Sequence, residues 1–277
     1  MLKKLCIISH SGGLDSSTLI AKAIALGYTV KPINFNYGQK NVIEINAQKL
    51  VYGHFKKMYG DRILEPLVLD FNDFMKPYLD SFKDLRDSGS IEDSTELEYY
   101  MPFRNMVFTS ICSMIGELIC ISSKEYSELA IGIGVHKHSE AAYKKDYWDI
   151  TPMFIEKINE VVKLNDALNV SIFAPYADKF KEDIIKDAVE LDVPYHLTWT
   201  CYNPKYQNIV NETITVTPCG VCEACIEREL QGQKAGVDDI NDYFIDLELE
   251  QKGVNFDASF ENVNHNVIFK ALTSWAK

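Results

Sequence analysis

The chain has 277 residues, 47% of them hydrophobic and 25% charged, enough to bury the core of one large domain with an appendage. Its formal net charge of −12 excludes an overall positive field that would gather nucleic acid or an anionic membrane surface, and no dense basic stripe replaces one. The basic start MLKKL leads into too short an apolar run for a secretory signal, and the longest apolar segment, 107–121, falls short of the ~20 residues a membrane span needs, so a cytoplasmic protein without a membrane segment is expected.

Strand-like and helical runs alternate along the chain. LCIIS (5–9) precedes a helical pattern over 15–26, TVKPINF (29–35) precedes one over 40–57, and ILEPLVL (63–69) reads as a third strand. A helix over 104–120 follows, then ELAIGIG (128–134) with a helix over 152–165, and NVSIFAP (169–175) with a helix over 178–190. This alternation predicts parallel strands with crossover helices, an α/β doubly wound sheet. In the 104–120 helix Val107, Ile111, Met114, Ile115 and Leu118 recur at helical spacing while Met106, Phe108 and Ile119 make it apolar nearly all round, so a buried central helix is expected. Residues 70–103 are acidic and aperiodic, a lid or a solvated linker. The stretch 196–228 is rich in Cys, Thr, Asn and Pro, and 233–277 carries no motif. The expected divisions are an α/β domain over 1–195, a metal-binding segment over 196–232 and a C-terminal extension over 233–277.

Where the first strand hands over to the first helix, the chain reads Ser9, His10, Ser11, Gly12, Gly13, Leu14, Asp15, Ser16, Ser17. A turn of this kind aims free backbone N–H groups and the positive helix end at one spot, which suits an anion such as a phosphate. Gly12 and Gly13 let the backbone approach closely, and Ser11, Ser16 and Ser17 add hydroxyl donors. The alternative is a plain tight turn with Asp15 as the helix N-cap. The stretch lacks both the Gly-Lys-Ser/Thr of a Walker A loop and the G-x-G-x-x-G of a dinucleotide fold.

Of seven cysteines, Cys6, Cys112 and Cys120 sit in apolar patterns and read as small buried hydrophobes. Cys201, Cys219, Cys222 and Cys225 are clustered; three thiols three residues apart with a distant fourth fit a closed tetrahedral Zn²⁺ site. The same ligand type serves an iron–sulfur cluster, a redox pair or the persulfide carrier of a thiolating enzyme, and these stay open.

SGGLDS (11–16) resembles the Ser-Gly-Gly-x-Asp-Ser pyrophosphate loop (PP-loop) of the N-type ATP pyrophosphatases, which cleave ATP between its α and β phosphates to adenylate a carbonyl oxygen. Together with FNYGQK (35–40), MPFRN (101–105), IGIGVH (131–136) and the TWTCY and CGVCEAC segments, residues 5 to about 228 resemble the 7-cyano-7-deazaguanine synthases, the QueC family. The resemblance implies ATP and Mg²⁺ at residues 9–17, with Asp15 orienting the loop or helping to hold the metal and Ser11 and Ser16 on the phosphates. It places Tyr37 and Gln39 at the end of the second strand to meet adenine or ribose, Arg104 and Asn105 at a helix start to meet phosphate or carboxylate, Lys179 near the phosphates, and Zn²⁺ on the four cysteines. Asp15, Ser16, Arg104 and Lys179 are thereby implied in catalysis. A surface arginine with an N-capping neighbour, and a solvated helix-start lysine, are the plainer alternatives for Arg104 and Lys179.

The implied reaction adenylates 7-carboxy-7-deazaguanine, displaces AMP with ammonia and uses a second ATP to turn the amide into a nitrile. Its implied partners are the small-molecule deazapurine and ammonia, with no direct nucleic acid, in a homo-oligomer. Three departures stand out. SEAAYKKDYWD (139–149) lacks the family's Asp-Cys-Arg, Phe103 replaces a glycine, and the acidic 84–98 stretch, the Cys201–Cys219 spacer and the tail past 233 are additions. They favour, as an alternative acceptor, an amine on a protein or other partner; the acidic charge argues against a tRNA sulfur-transfer enzyme.

Overall fold

The computed structural model describes residues 2–37, 43–87, 103–137, 148–210, 213–238, 240 and 245–248. The elements run β1 (Lys3–Ser9), α1 (Leu14–Ala25), β2 (Tyr28–Asn36), α2 (Ile43–Tyr59), β3 (Leu67–Asp70), α3 (Asn72–Asp87), α4 (Arg104–Ser123), β4 (Tyr126–Gly132), α5 (Pro152–Val162), β5 (Asn169–Phe173), α6 (Lys181–Glu190), β6 (Lys205–Val210), β7 (Thr213–Thr217), α7 (Glu223–Ala235) and β8 (Ile245–Glu248). The first five strands form an all-parallel sheet in the order β3-β2-β1-β4-β5. The doubly wound α/β sheet expected from the alternation is therefore the one observed.

β1 is apolar without alternation because it is buried on both faces: Leu5, Cys6, Ile7 and Ile8 are all 0% exposed. Cys6 and Ile8 pack with Leu19, Ile20, Val51, Phe55, Ile184 and Ile185 from α1, α2 and α6. Leu5 and Ile7 face Phe108, Cys112 and Cys120 of α4 on the other side. Chain order leaves β1 toward β2 on one flank, whereas β4 lies on the other. The carboxyl ends of β1 and β4 thus border a switch point, where open parallel sheets bind ligands.

Three expectations need correction. The strand expected over 63–69 pairs with β2 only from Leu67, because Pro66 has no N–H to donate; Ile63 keeps a single isolated bridge to Val30. Residues 72–87, expected to be aperiodic, form α3, which buries Met75 in the sheet's core while Phe74 and Tyr78 stay exposed. α4 is not buried all round. It runs twenty residues and passes by length and composition as a membrane-crossing helix, but it packs one face on the sheet and leaves Met106, Met114, Leu118 and Ile121 exposed. Gly116 allows the close approach: a Cβ there would lie 2.6 Å from Leu129 Cδ1 and 2.9 Å from Ile7 Cγ1.

The antiparallel sheet β6-β7-β8 and α7 form the smaller part. The division expected at 232 falls inside α7, and Ile240 joins the core of α1 and α6, so the extension begins as part of the fold. Its remainder, from 249, lies outside the described residues, as do 88–98 of the acidic stretch.

The start of α4 is fixed by a parallel stack of Phe108 on Phe35, with centroids 3.8 Å apart and planes at 3°. Phe108→Ala is expected to cost about 3 kcal/mol, the low end for a buried phenylalanine, read as a lower denaturant midpoint with an unchanged slope.

Candidate functional site

The turn after β1 takes its shape from Gly12. Its φ is +79°, and a Cβ there would meet Glu44 O at 2.4 Å and Gln48 N at 2.8 Å, so only glycine fits between the loop and the start of α2. The serine hydroxyls fold the turn on itself. Ser16 Oγ donates to Gly13 O at 3.2 Å, Ser17 Oγ donates to the same oxygen at 2.8 Å, and Ser11 Oγ accepts from Gly13 N–H at 3.3 Å.

The nine residues divide into two sides. His10, Leu14 and Ser17 are 1%, 2% and 0% exposed and form the underside, with His10 Nε2 and Ser17 Oγ 3.1 Å apart. Burial lowers His10 to about 3, so its ring is neutral. Its carbonyl accepts from Asn34 Nδ2 and Gln48 Nε2, and Ser9 ends the strand beneath. Ser11 is exposed on the open side. The N-cap of α1 is Gly13, without a side-chain cap, and Asp15 lies inside the first turn instead of capping it. An uncapped helix start offers its first-turn N–H groups to an anion.

Asp15 is held from two distant segments. Lys181 Nζ lies 3.5 Å from its Oδ2 and His136 Nε2 3.4 Å from the same oxygen, while Lys181 also reaches Glu227 at 3.8 Å. Burial opposes ionisation of Asp15, but the charges of Lys181 and His136 outweigh it and hold the carboxyl well below its ordinary range. His136 Nδ1 lies 2.9 Å from Lys137 O, so both ring nitrogens face acceptors and the imidazolium is the form that satisfies them. Burial works against that charge, yet Asp15 raises the His136 pKa overall.

Lys179, the lysine singled out in the sequence, is exposed, and the one that reaches the turn is Lys181. α6 begins at Lys181 instead of 178, and this three-residue difference changes which lysine lies at the helix start. His136 closes the IGIGVH segment (131–136), but sequence reasoning missed its pairing with Asp15; its place four residues past the end of β4, the strand beside β1, was the available signal.

A second group gathers at the start of α4. Arg104 Nη1 donates to Tyr37 Oη at 3.5 Å. Burial opposes the Arg104 charge, but Tyr37, Asp149 and Glu44 raise its pKa. Asn105 is occupied within the protein: its N–H donates to Asp149 Oδ2 and its Nδ2 to Asp149 O, both at 3.1 Å. Asp149, which sequence reasoning passed over, therefore caps α4. Phe103 sits at φ 58° in the left-handed region, and its ring meets Trp148 edge-on at 5.0 Å. Gln39 and residues 139–147 lie outside the described residues.

The four clustered cysteines converge, with all Sγ atoms within 4.8 Å of one another and three of the residues buried. A tetrahedral ion with Zn–S of about 2.3 Å needs sulfurs about 3.8 Å apart, and Cys201 and Cys222 Sγ are 4.0 Å apart. Cys219 N–H donates to Cys201 Sγ at 3.2 Å and Cys222 N–H to Cys219 Sγ at 3.3 Å. Hydrogen bonds from the Cys225 thiol and from the Cys219 and Asn203 N–H groups lower the Cys201 pKa against burial, while the same thiol–thiol contact raises that of Cys225, so the two sulfurs share a proton between them.

The raised pKa of His136 fixes a pH dependence. The stabilisation it shares with Asp15 is full below the free value near 6.5 and is lost as pH rises through the folded value. Wild type should therefore lose its thermal advantage over His136→Gln as pH rises from 6 to 9, measured by paired melting curves.

The family model described as queuosine biosynthesis protein QueC matches residues 5–236. A 7-cyano-7-deazaguanine synthase of Nautilia profundicola is 31% identical over 248 residues, covering 85% of this chain and 96% of the relative. One from Caldicellulosiruptor bescii is 31% identical over 87% of this chain and 98% of the relative. Another from Psychromonas ingrahamii is 29% identical over 82% and 92%. The glycine- and serine-rich turn at 11–16, the switch-point position of Asp15 and the four converging thiols thus occur in a chain that belongs to the QueC family.

Proposed function

We propose that the protein is an ATP-dependent carbon–nitrogen ligase that converts 7-carboxy-7-deazaguanine to 7-cyano-7-deazaguanine. The observation that carries this reading is the uncapped start of α1, with Gly12 wedged against α2 and Asp15 between two cations. The first-turn N–H groups, the Ser11 and Ser16 hydroxyls and the Lys181 ammonium would receive the expelled pyrophosphate as its charge develops. Asp15 Oδ1 is buried without a hydrogen-bond partner and suits Mg²⁺, which takes one or two carboxylates with phosphates and water. Such an ion would supply further neutralisation of the leaving group.

Arg104 would face the substrate carboxylate, with Tyr37 flanking the nucleotide or the planar base. The carboxylate attacks the α-phosphorus and expels pyrophosphate, and ammonia displaces AMP from the acyl adenylate to leave the amide. A second ATP activates the amide oxygen, whose departure as AMP with loss of two protons leaves the nitrile. The chain's contribution is positioning and charge stabilisation. The four cysteines would hold a structural Zn²⁺, in a homo-oligomer working on small molecules in the cytoplasm.

Purified enzyme given carboxy-deazaguanine, ATP, Mg²⁺ and ammonium should release the nitrile, AMP and pyrophosphate, and Asp15→Ala should abolish pyrophosphate release with an unchanged circular dichroism spectrum. AMP formation with the deazapurine mass recovered on a protein would replace ammonia as the nucleophile. Metal analysis should find one zinc per chain, and Cys222→Ser should lose both the metal and thermal stability. Iron with acid-labile sulfide would reject the zinc assignment.

A further inference from the structure

Residues 195–201 lie between the cysteine cluster and the phosphate-type turn and touch both. Trp199 N–H donates to Gly12 O at 3.0 Å, and its indole N–H donates to Cys201 O at 2.9 Å. The ring is 1% exposed and packs with Cys201, Cys219, Cys225 and Val216, and with Ile43 and Ala47 of α2. Ala47 also borders Gly12, at 3.2 Å from the position of a Cβ there. One small core therefore serves both the turn and the thiols.

The other anchor is Arg228, one turn beyond Cys225 on α7 and 0% exposed. Its Nη1 donates to Thr198 O at 3.2 Å, Thr198 Oγ1 at 3.1 Å and Thr200 Oγ1 at 2.9 Å; its Nη2 donates to Tyr195 O at 2.6 Å and its Nε to Ile240 O at 3.0 Å. The neighbouring Glu227 reaches Lys181, which faces Asp15. α7 begins at the cysteine cluster, so the geometry of the sulfurs sets the placement of both side chains.

We infer that the four-cysteine site and the phosphate loop are energetically coupled through residues 195–201, with Arg228 and Trp199 as positioning residues. Metal at the cysteines fixes this segment and the donor to Gly12 O; without it the sulfurs separate, the segment loosens and the loop loses its shape. Linkage then requires that a nucleotide at the loop tighten metal binding by the same factor by which metal tightens nucleotide binding. The inference rests on the reading of residues 11–16 as an ATP site.

The test uses the full chain, zinc, and a Mg²⁺-bound α,β-methylene ATP analogue that cannot be cleaved. Zinc affinity is measured by competition with a chromophoric chelator at constant Mg²⁺, with and without saturating analogue, and analogue affinity by calorimetry on zinc-loaded and zinc-free protein. About a 5-fold or larger gain in zinc affinity is expected, at the lower end of ordinary coupling, with a matching loss of analogue affinity on zinc removal. Thr200→Val and Arg228→Lys should keep one zinc per chain but bring the factor toward 1; Thr200→Val removes a single hydrogen bond and decides the matter if Arg228→Lys does not fold. Analogue binding with unchanged zinc affinity overturns the coupling and leaves the ATP reading standing. Zinc-loaded protein that binds no analogue overturns both. Global unfolding on zinc removal, seen by circular dichroism, overturns the local brace, as does full coupling in Thr200→Val.

Discussion

A carboxylate placed at the mouth of a parallel sheet must be paired, because a buried charge without partners costs several kcal/mol. Asp15 meets that demand with Lys181 and His136, both 9% exposed or less. These partners come from the start of α6 and from the chain leaving β4, so one side chain at the start of α1 draws three separate segments together at the carboxyl edge of the sheet. Glu227 continues the pairing into α7. The elements that flank the switch point are thus held by charge as well as by core packing, and the positive end of α1 is left open between them.

The start of α4 is built by another route. The Phe35–Phe108 stack ties it to the end of β2, and Asp149 caps it from the turn before α5. Arg104 is therefore placed by packing on one side and by a cap on the other, with Tyr37 as its hydrogen-bond partner. Phe103 gives up the backbone freedom of a glycine to put a ring against Trp148. A left-handed phenylalanine costs of order 1 kcal/mol or more, so this contact offsets a local strain at the side of the site where the chain departs from its family pattern.

Features contained in one contiguous stretch were legible in the sequence. The turn at 11–16 joins a strand and a helix whose patterns are plain, and the spacing of Cys219, Cys222 and Cys225 brings three thiols to one point with little help from tertiary structure. Features set by where an element begins or which face it buries were not. Lys179 and Lys181 differ by two residues, and only the start of α6 decides which faces Asp15. The period of α3 is obscured by Pro77 and its acidic residues, and α4 reads as buried all round because its outward face carries Met106, Met114, Leu118 and Ile121 instead of polar residues. His136 and Asp149 act through contacts more than forty residues away in sequence, which no local pattern records.

The burial of the cysteines bears on chemistry as well as on stability. A sulfur carrier must present a thiolate to a donor and then to an acceptor, so reactive cysteines are partly exposed. Here Cys201 and Cys225 are 0% exposed and Cys219 is 7% exposed, leaving Cys222 alone with partial access. The lowered pKa of Cys201 is produced by groups inside the cluster, its neighbouring thiol and backbone N–H donors, and not by a cation facing solvent. Such donors point into the cluster and give its buried sulfurs no outward path. That burial and those inward donors suit ligands that could hold a metal ion better than a thiol that must exchange sulfur with outside partners.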